Sequence, residues 1–219
     1  MSQPIYGRVA LIGLGLIASS MAHAMRQSGL AGSIAGHARS AETRAAAREI
    51  GFCDEVFATA AEAVEGADLV VLAVPVGAMG AVAAEIGAHL KPGATVTDVG
   101  SVKQAVVEAV APHIPKDVNF IPGHPLAGTE HSGPRSGFAT LFANRWTLLI
   151  PGDAAPEAVM QARTAITRRE PVKNLILPIR FAGGHQRCCP SPAQVVQRLD
   201  QEPDANAQQV VERSPEPGW

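Results

Sequence analysis

Arg8-Val9-Ala10-Leu11-Ile12-Gly13-Leu14-Gly15-Leu16-Ile17-Ala18-Ser19-Ser20 is the stretch that decides the fold. It begins as an apolar run of strand length and breaks at two glycines one residue apart. It resumes with helical spacing, with Ile17, Ala18, Met21, Ala22 and Met25 available for one buried face. Gly29 is placed to end that helix as a left-handed cap. A strand, a G-x-G-x-x-A turn and a helix in this order make up the dinucleotide-binding fingerprint. Gly13 permits the tight turn, Gly15 lets the backbone approach a pyrophosphate with no Cβ in the way, and Ala18 keeps the helix close to the strand. The phosphates would rest on the free N–H groups and the positive end of the helix dipole. Gly13, Gly15, Leu16, Ile17 and Ala18 are therefore candidate cofactor-binding residues. The glycines alone also suit a merely structural turn, but their place between a strand and a helix favours a nucleotide.

Outward from this stretch, strands and helices alternate to about residue 150. Ser33–Gly36 reads as a second strand, and Ser40 can cap a helix running to Ile50 before Gly51. Thr59-Ala60-Ala61-Glu62 matches a capping box. Asp68–Val74 is a near-continuous β-branched run, as expected of a parallel strand covered on both faces. Pro75 stops it, and an alanine-rich helix follows to about Leu90. Thr95–Val99 is the next strand, Val102–Ala111 the next helix, and Val118–Ile121 and Thr147–Ile150 two further strands. The alternation predicts an α/β fold with a doubly wound, Rossmann-type parallel sheet over residues 1–160. Val74 and Pro75, past one strand, and Asp98 with Ser101, at the end of the next, are further candidate nucleotide contacts, because such sheets bind ligands beyond the carboxyl ends of their strands.

The 219 residues are 47% hydrophobic, enough to bury a substantial core. A formal net charge of −2 argues against a dedicated nucleic-acid or membrane-surface binder. Cys53, Cys188 and Cys189 have neither metal-ligand spacing nor a disulfide framework, which fits a reducing compartment. With no signal segment and no run long enough to span a bilayer, a cytoplasmic protein is expected. Residues 161–219 read differently. Pro171, Pro178, Pro190, Pro192, Pro203, Pro215 and Pro217 punctuate them, and 201–219 is polar and expected to be poorly ordered. Gln194–Leu199 is the one part suited to a helical turn or two.

Three constellations bear on chemistry. NAD-specific sheets of this kind place a carboxylate at the end of the second strand, but here that region reads Gly36-His37-Ala38-Arg39-Ser40. Arg39 with Ser40 suits a 2′-phosphate through charge-assisted hydrogen bonds, which leans toward NADP used at least as well as NAD. Equally, Arg39 can be a solvated loop residue and Ser40 only a cap. The second is Thr97-Asp98-Val99-Gly100-Ser101-Val102-Lys103, where Ser101 can bond a substrate oxygen or cap the following helix, and Lys103 reads as a surface charge. The third is Pro122-Gly123-His124-Pro125-Leu126-Ala127-Gly128-Thr129-Glu130-His131. His124 sits in a restricted loop past a strand end, where an imidazole can accept a proton near neutrality or serve a structural hydrogen bond. The remaining histidines, His23, His37, His89, His113 and His185, read as surface or helix residues.

Together, Gly13-x-Gly15-Leu16-Ile17-x-x-Ser20, Asp98-Val99-Gly100-Ser101-Val102-Lys103 and His124-Pro125-Leu126-Ala127-Gly128-Thr129-Glu130 resemble the nucleotide-binding domain of prephenate (or arogenate) dehydrogenases. Leu141-Phe142 and Leu148-Leu149-Ile150-Pro151 fit the same order, and the resemblance covers residues 6–160. It implies NAD(P)-dependent oxidative decarboxylation in tyrosine biosynthesis, acting on a small-molecule substrate. His124 would bond the ring hydroxyl and draw off its proton, Ser101 would orient the hydroxyl and His124, and Glu130 would help shape the polar pocket. Family members continue into a helical domain that forms a dimer and supplies an arginine to the substrate carboxylate. Residues 161–219 carry neither its periodicity nor its motif, and are expected to be a truncated or frame-shifted remnant, the frame lost near Gln161. Two other readings stay open: a hydroxy-acid dehydrogenase using a lysine, against which the His124 loop argues, and a non-catalytic NAD(P)-binding module.

Overall fold

Strand β1 (Tyr6–Ile12) runs into Gly13, and helix α1 (Leu16–Ser28) begins on Gly15 and closes on Gly29 in the left-handed region. The computed structural model describes residues 3–165 and 173–176. After α1 come β2 (Ala31–His37), α2 (Ala41–Ile50), β3 (Glu55–Phe57), α3 (Ala60–Val64), β4 (Leu69–Leu72) and α4 (Val76–Ile86). Then follow β5 (Thr95–Asp98), α5 (Lys103–Val110) and β6 (Asn119–Ile121). Local chemistry sets many of these limits. Ser40 accepts the Thr43 N–H at the start of α2, and Thr59 and Glu62 form the expected capping box at α3.

The six strands pair in parallel in the order β3-β2-β1-β4-β5-β6. This is the Rossmann-type arrangement expected, with its reversal of direction between β1 and β4. Both faces are covered. Val9 and Leu11 of β1 with Leu69 and Val71 of β4 pack under α1. Ala10, Ile12, Val70 and Leu72 point the other way, against Met79, Ala83, Ile86, Val106 and Val110. Period-two alternation within an apolar run therefore feeds two cores at once. Each fully buried Val, Leu or Ile contributes roughly 1.5–3 kcal/mol.

The chain beyond β6 departs from the expected pattern. Gly123–Pro125 is a strand, β7, so His124 lies in a strand and not in a loop. It pairs antiparallel with β8 (Trp146–Leu149), which pairs in parallel with β9 (Lys173–Ile176). The strand expected at Thr147–Ile150 thus belongs to this second, three-stranded sheet and not to the parallel one. The reason lies in the connection. Among residues 126–145 the structure has one 3₁₀ turn, Pro134–Ser136, and no helix to serve as a parallel crossover. Instead the chain returns to α1. The Phe138 N–H donates to Ser20 Oγ across 118 residues, Gly137 packs against Ser19, and Leu141 and Phe142 join the core around Leu14 and Met21.

Helix α6 (Pro156–Ala165), with proline in its first position, buries Ala158, Val159 and Ala162 against Ile121 and Leu149. It crosses the boundary expected at residue 160 and runs past Gln161, and β9 lies within the stretch expected to be atypical. The expected disorder at 201–219 and the turn at Gln194–Leu199 fall outside the described residues. His37, read as a surface or helix residue, is half-buried in β2 with Nδ1 3.3 Å from Phe57 O. Among the described residues no helix is long and apolar enough to cross a membrane.

Candidate functional site

The glycine turn divides its labour. Gly13 has φ +98°, its N–H donates to His37 O at 2.8 Å, and a Cβ there would lie 2.4 Å from Ala73 O. It brings the loops after β1 and β4 into contact at the point where the strand order reverses. Gly15, with φ −88°, precedes α1, and a Cβ there would meet nothing within 4 Å. No side chain caps α1 and no acidic residue stands in its first turn, so its positive end and first amides are left for an outside anion. These residues fit a pyrophosphate. Leu16 and Ala18 are buried in the core and Ile17 packs partly against it, so their contribution is to seat the helix.

At the end of β2, the Arg44 guanidinium donates to Ala38 O at 2.6 Å and Arg39 O at 2.8 Å, fixing the turn. Ser40 caps α2, and the Arg39 side chain is exposed, with no ion pair among the described residues. Val74 packs partly on the core, and Pro75 precedes α4 exposed.

The end of β5 is organised by a buried ion pair. Lys103 Nζ donates to Asp98 Oδ2 and, at 2.5 Å, to Gly123 O. Asp98 also accepts the Gly100 N–H at 2.8 Å and the Gly123 N–H at 3.1 Å. The expected surface lysine is therefore buried, because a carboxylate that ends an interior strand needs a counter-charge. Burial pushes the Asp98 carboxyl up and the Lys103 ammonium down, against the mutual attraction that keeps them paired. Removing one partner alone would cost roughly 3–5 kcal/mol. Asp98, expected to touch a nucleotide, spends its oxygens on the fold's own groups. The sequence carries only a faint sign of this: Asp98 ends a strand, Thr95-Val96-Thr97-Asp98, that the fold buries throughout, and Lys103 is the next cation along the chain.

His124 leaves this clamp one residue after Gly123. Its ring is half-buried and its Nδ1 is enclosed without a protein partner. Burial, and secondarily the Lys103 charge, hold it below the ordinary histidine value, favouring the neutral imidazole. Ser101 lies exposed between Gly100 and Val102, and its hydroxyl is not the helix cap, since α5 begins after Val102 without a side-chain cap. The clamp thus links the turn carrying Ser101 to the strand carrying His124. Glu130 is not drawn in. Its side chain is 82% exposed and lies 3.3 Å from His131 Nε2.

Residues 21–173 match the family model described as prephenate dehydrogenase, nucleotide-binding domain. The chain belongs to that family. This prephenate dehydrogenase-family domain is 40% identical over 152 residues to a cyclohexadienyl dehydrogenase of Zymomonas mobilis, covering 69% of this chain and 52% of that protein. It is 32% identical over 155 residues to a prephenate dehydrogenase of Bacillus subtilis, covering 70% of this chain and 42% of that one. The chain spans about half the length of the curated relatives it matches. Among solved structures it resembles prephenate dehydrogenase from A. aeolicus in complex with hydroxyphenyl propionate and NAD+. The TM-score is 0.70 at 27% identity, over 82% of this chain and 61% of that one.

Proposed function

We infer that the chain is the nucleotide-binding half of a dehydrogenase that oxidatively decarboxylates prephenate or arogenate with NAD or NADP. The observation that carries this reading is His124: a half-buried imidazole with an enclosed, unpartnered nitrogen, held below the ordinary histidine value, on the strand that the Asp98–Lys103 pair ties to the turn carrying Ser101. The dinucleotide would lie over Gly13 and Gly15, against the first turn of α1, and supplies the hydride acceptor when bound. As hydride leaves the ring carbon that bears the hydroxyl, that hydroxyl becomes strongly acidic, and His124 accepts its proton. Ser101 orients the hydroxyl and His124, and Glu130, exposed beside His131, would help shape the polar pocket. Loss of carbon dioxide and gain of aromaticity drive the reaction, so the protein mainly supplies position and a base. Arg39, exposed where no carboxylate follows β2, suits a 2′-phosphate, so NADP is used at least as well as NAD.

The test is a reduced-nicotinamide absorbance assay with prephenate and arogenate, each with NAD and NADP, beside a binding titration of each nucleotide. Turnover of either substrate is expected. The absence of both binding and turnover would overturn the reading. The exposed Glu130, turned to His131, favours one second reading, a module that binds the nucleotide without catalysis. Binding without turnover would select it.

A further inference from the structure

The dehydrogenase reading employs His124 and Ser101 and leaves the Asp98–Lys103 pair without a part. Yet Gly123 is held at both of its polar atoms, its N–H by Asp98 and its carbonyl by Lys103. A Cβ on Gly123 would lie 2.8 Å from Asp98 O, so β5 and β7 approach as closely as a residue without a side chain allows. The same carboxylate holds the Gly100 N–H, immediately before Ser101. One buried pair therefore fixes the residue ahead of each of the two groups assigned to the substrate hydroxyl. As a source of stability a buried ion pair is poor, since apolar residues of equal volume often do as well. Apolar residues cannot, however, hold two amides and a carbonyl at set angles.

We propose that Asp98 and Lys103 are the positioning residues of this site, clamping Gly100 and Gly123 so that Ser101 and His124 present their side chains to one substrate oxygen. The proposal rests on the dehydrogenase reading for its purpose and on the hydrogen bonds for its geometry. Lys103 is also the charged side chain whose field reaches His124. Asp98 is turned to Lys103, and Glu130 and His131 are exposed.

The test follows the His124 ring by NMR in the full chain labelled at histidine, the signal being assigned by its loss in His124→Asn. The variants are Lys103→Met, the neutral double variant Asp98→Asn/Lys103→Met, and Lys103→Arg. In Lys103→Met the ring signals shift and the titration midpoint moves up, because a nearby cation no longer opposes the imidazolium. NAD affinity stays within about twofold, since Lys103 Nζ bonds Asp98 and Gly123 and no residue of the glycine turn. In the same variant kcat falls about 10²-fold, as misplacement of a reacting group by an ångström would cause. Lys103→Arg, keeping the charge, moves the midpoint less. If Lys103→Met does not fold, the double variant buries no unpaired charge and carries the same readout. A folded variant lacking Lys103 whose His124 signals and midpoint match the wild type overturns the proposal. The titration is read with or without turnover. A chain that never turns over but shows the shift removes the dehydrogenase reading alone, whereas turnover without the shift removes the clamp alone.

Discussion

The two sheets of this molecule are built on different principles. Around the six-stranded sheet several elements carry their own start or stop: a glycine at the end of β1, Ser40 before α2, a capping box before α3. Pairing there is parallel and sandwiched, so the side chains need only be apolar on both faces. In the three-stranded sheet, β7 has three residues and no sequence period of its own. Its place is dictated by an antiparallel partner more than twenty residues further on and by a charged pair reaching over from β5. The first sheet supplies a platform for a nucleotide, and the second supplies the candidate base. Local signals suffice for a platform, whereas a reacting group has to be aimed by long-range contacts.

The largest expected effect tests the second region. His124→Asn lowers kcat by about 10²–10⁴-fold and leaves nucleotide affinity intact. Since the imidazole is held below its ordinary value of 6.5, it stays a base in mildly acid solution. The acid limb of the wild-type kcat/KM profile therefore falls below that pH and disappears in the variant. A profile unchanged by the substitution would take His124 out of the chemistry.

Gly13 and Gly15 set the next two effects and divide the first region into fold and ligand. Gly13→Ala forces a left-handed backbone and a clash with Ala73 O, costing about 2–4 kcal/mol in denaturant unfolding. Gly15→Ala enters open space at an ordinary φ, so its melting temperature holds while NAD affinity drops about tenfold. Equal losses of stability in the two variants would refute this division.

The smallest effects lie at the end of β2. Ser40→Ala loses the α2 cap and about 1 kcal/mol of stability. Arg39→Ala changes stability by less than about 0.5 kcal/mol, as an exposed side chain should. It weakens NADP binding and spares NAD. Equal weakening of both nucleotides would make Arg39 a general phosphate contact and not a reader of the 2′ position.

Much of the platform is legible from residues a few positions apart. The strand, turn and helix at Val9–Met25, the left-handed Gly29 and the cap at Ser40 all follow from neighbours in the chain. The missed elements have another cause. Strands β3 and β7, at three residues each, are too short for any period to register. Strand β8 is readable as a strand, but its sheet is set by the path of residues 126–145. Lys103 looks like any lysine at the start of a helix, and only its partner Asp98, across a turn, reveals its burial. Ser101 and His124 were readable by type, and what holds them was not.

The return of residues 137–142 onto α1 has a consequence for biosynthesis. A chain emerging from the ribosome delivers β1 and α1 first. The face of α1 that receives Gly137, Phe138, Leu141 and Phe142 stays uncovered until more than a hundred further residues have emerged. The first unit in sequence is thus among the last to be completed. Until then the Ser20 hydroxyl lacks the Phe138 N–H, and the core that Leu141 and Phe142 complete stays partly open while the strands of the parallel sheet are still being made.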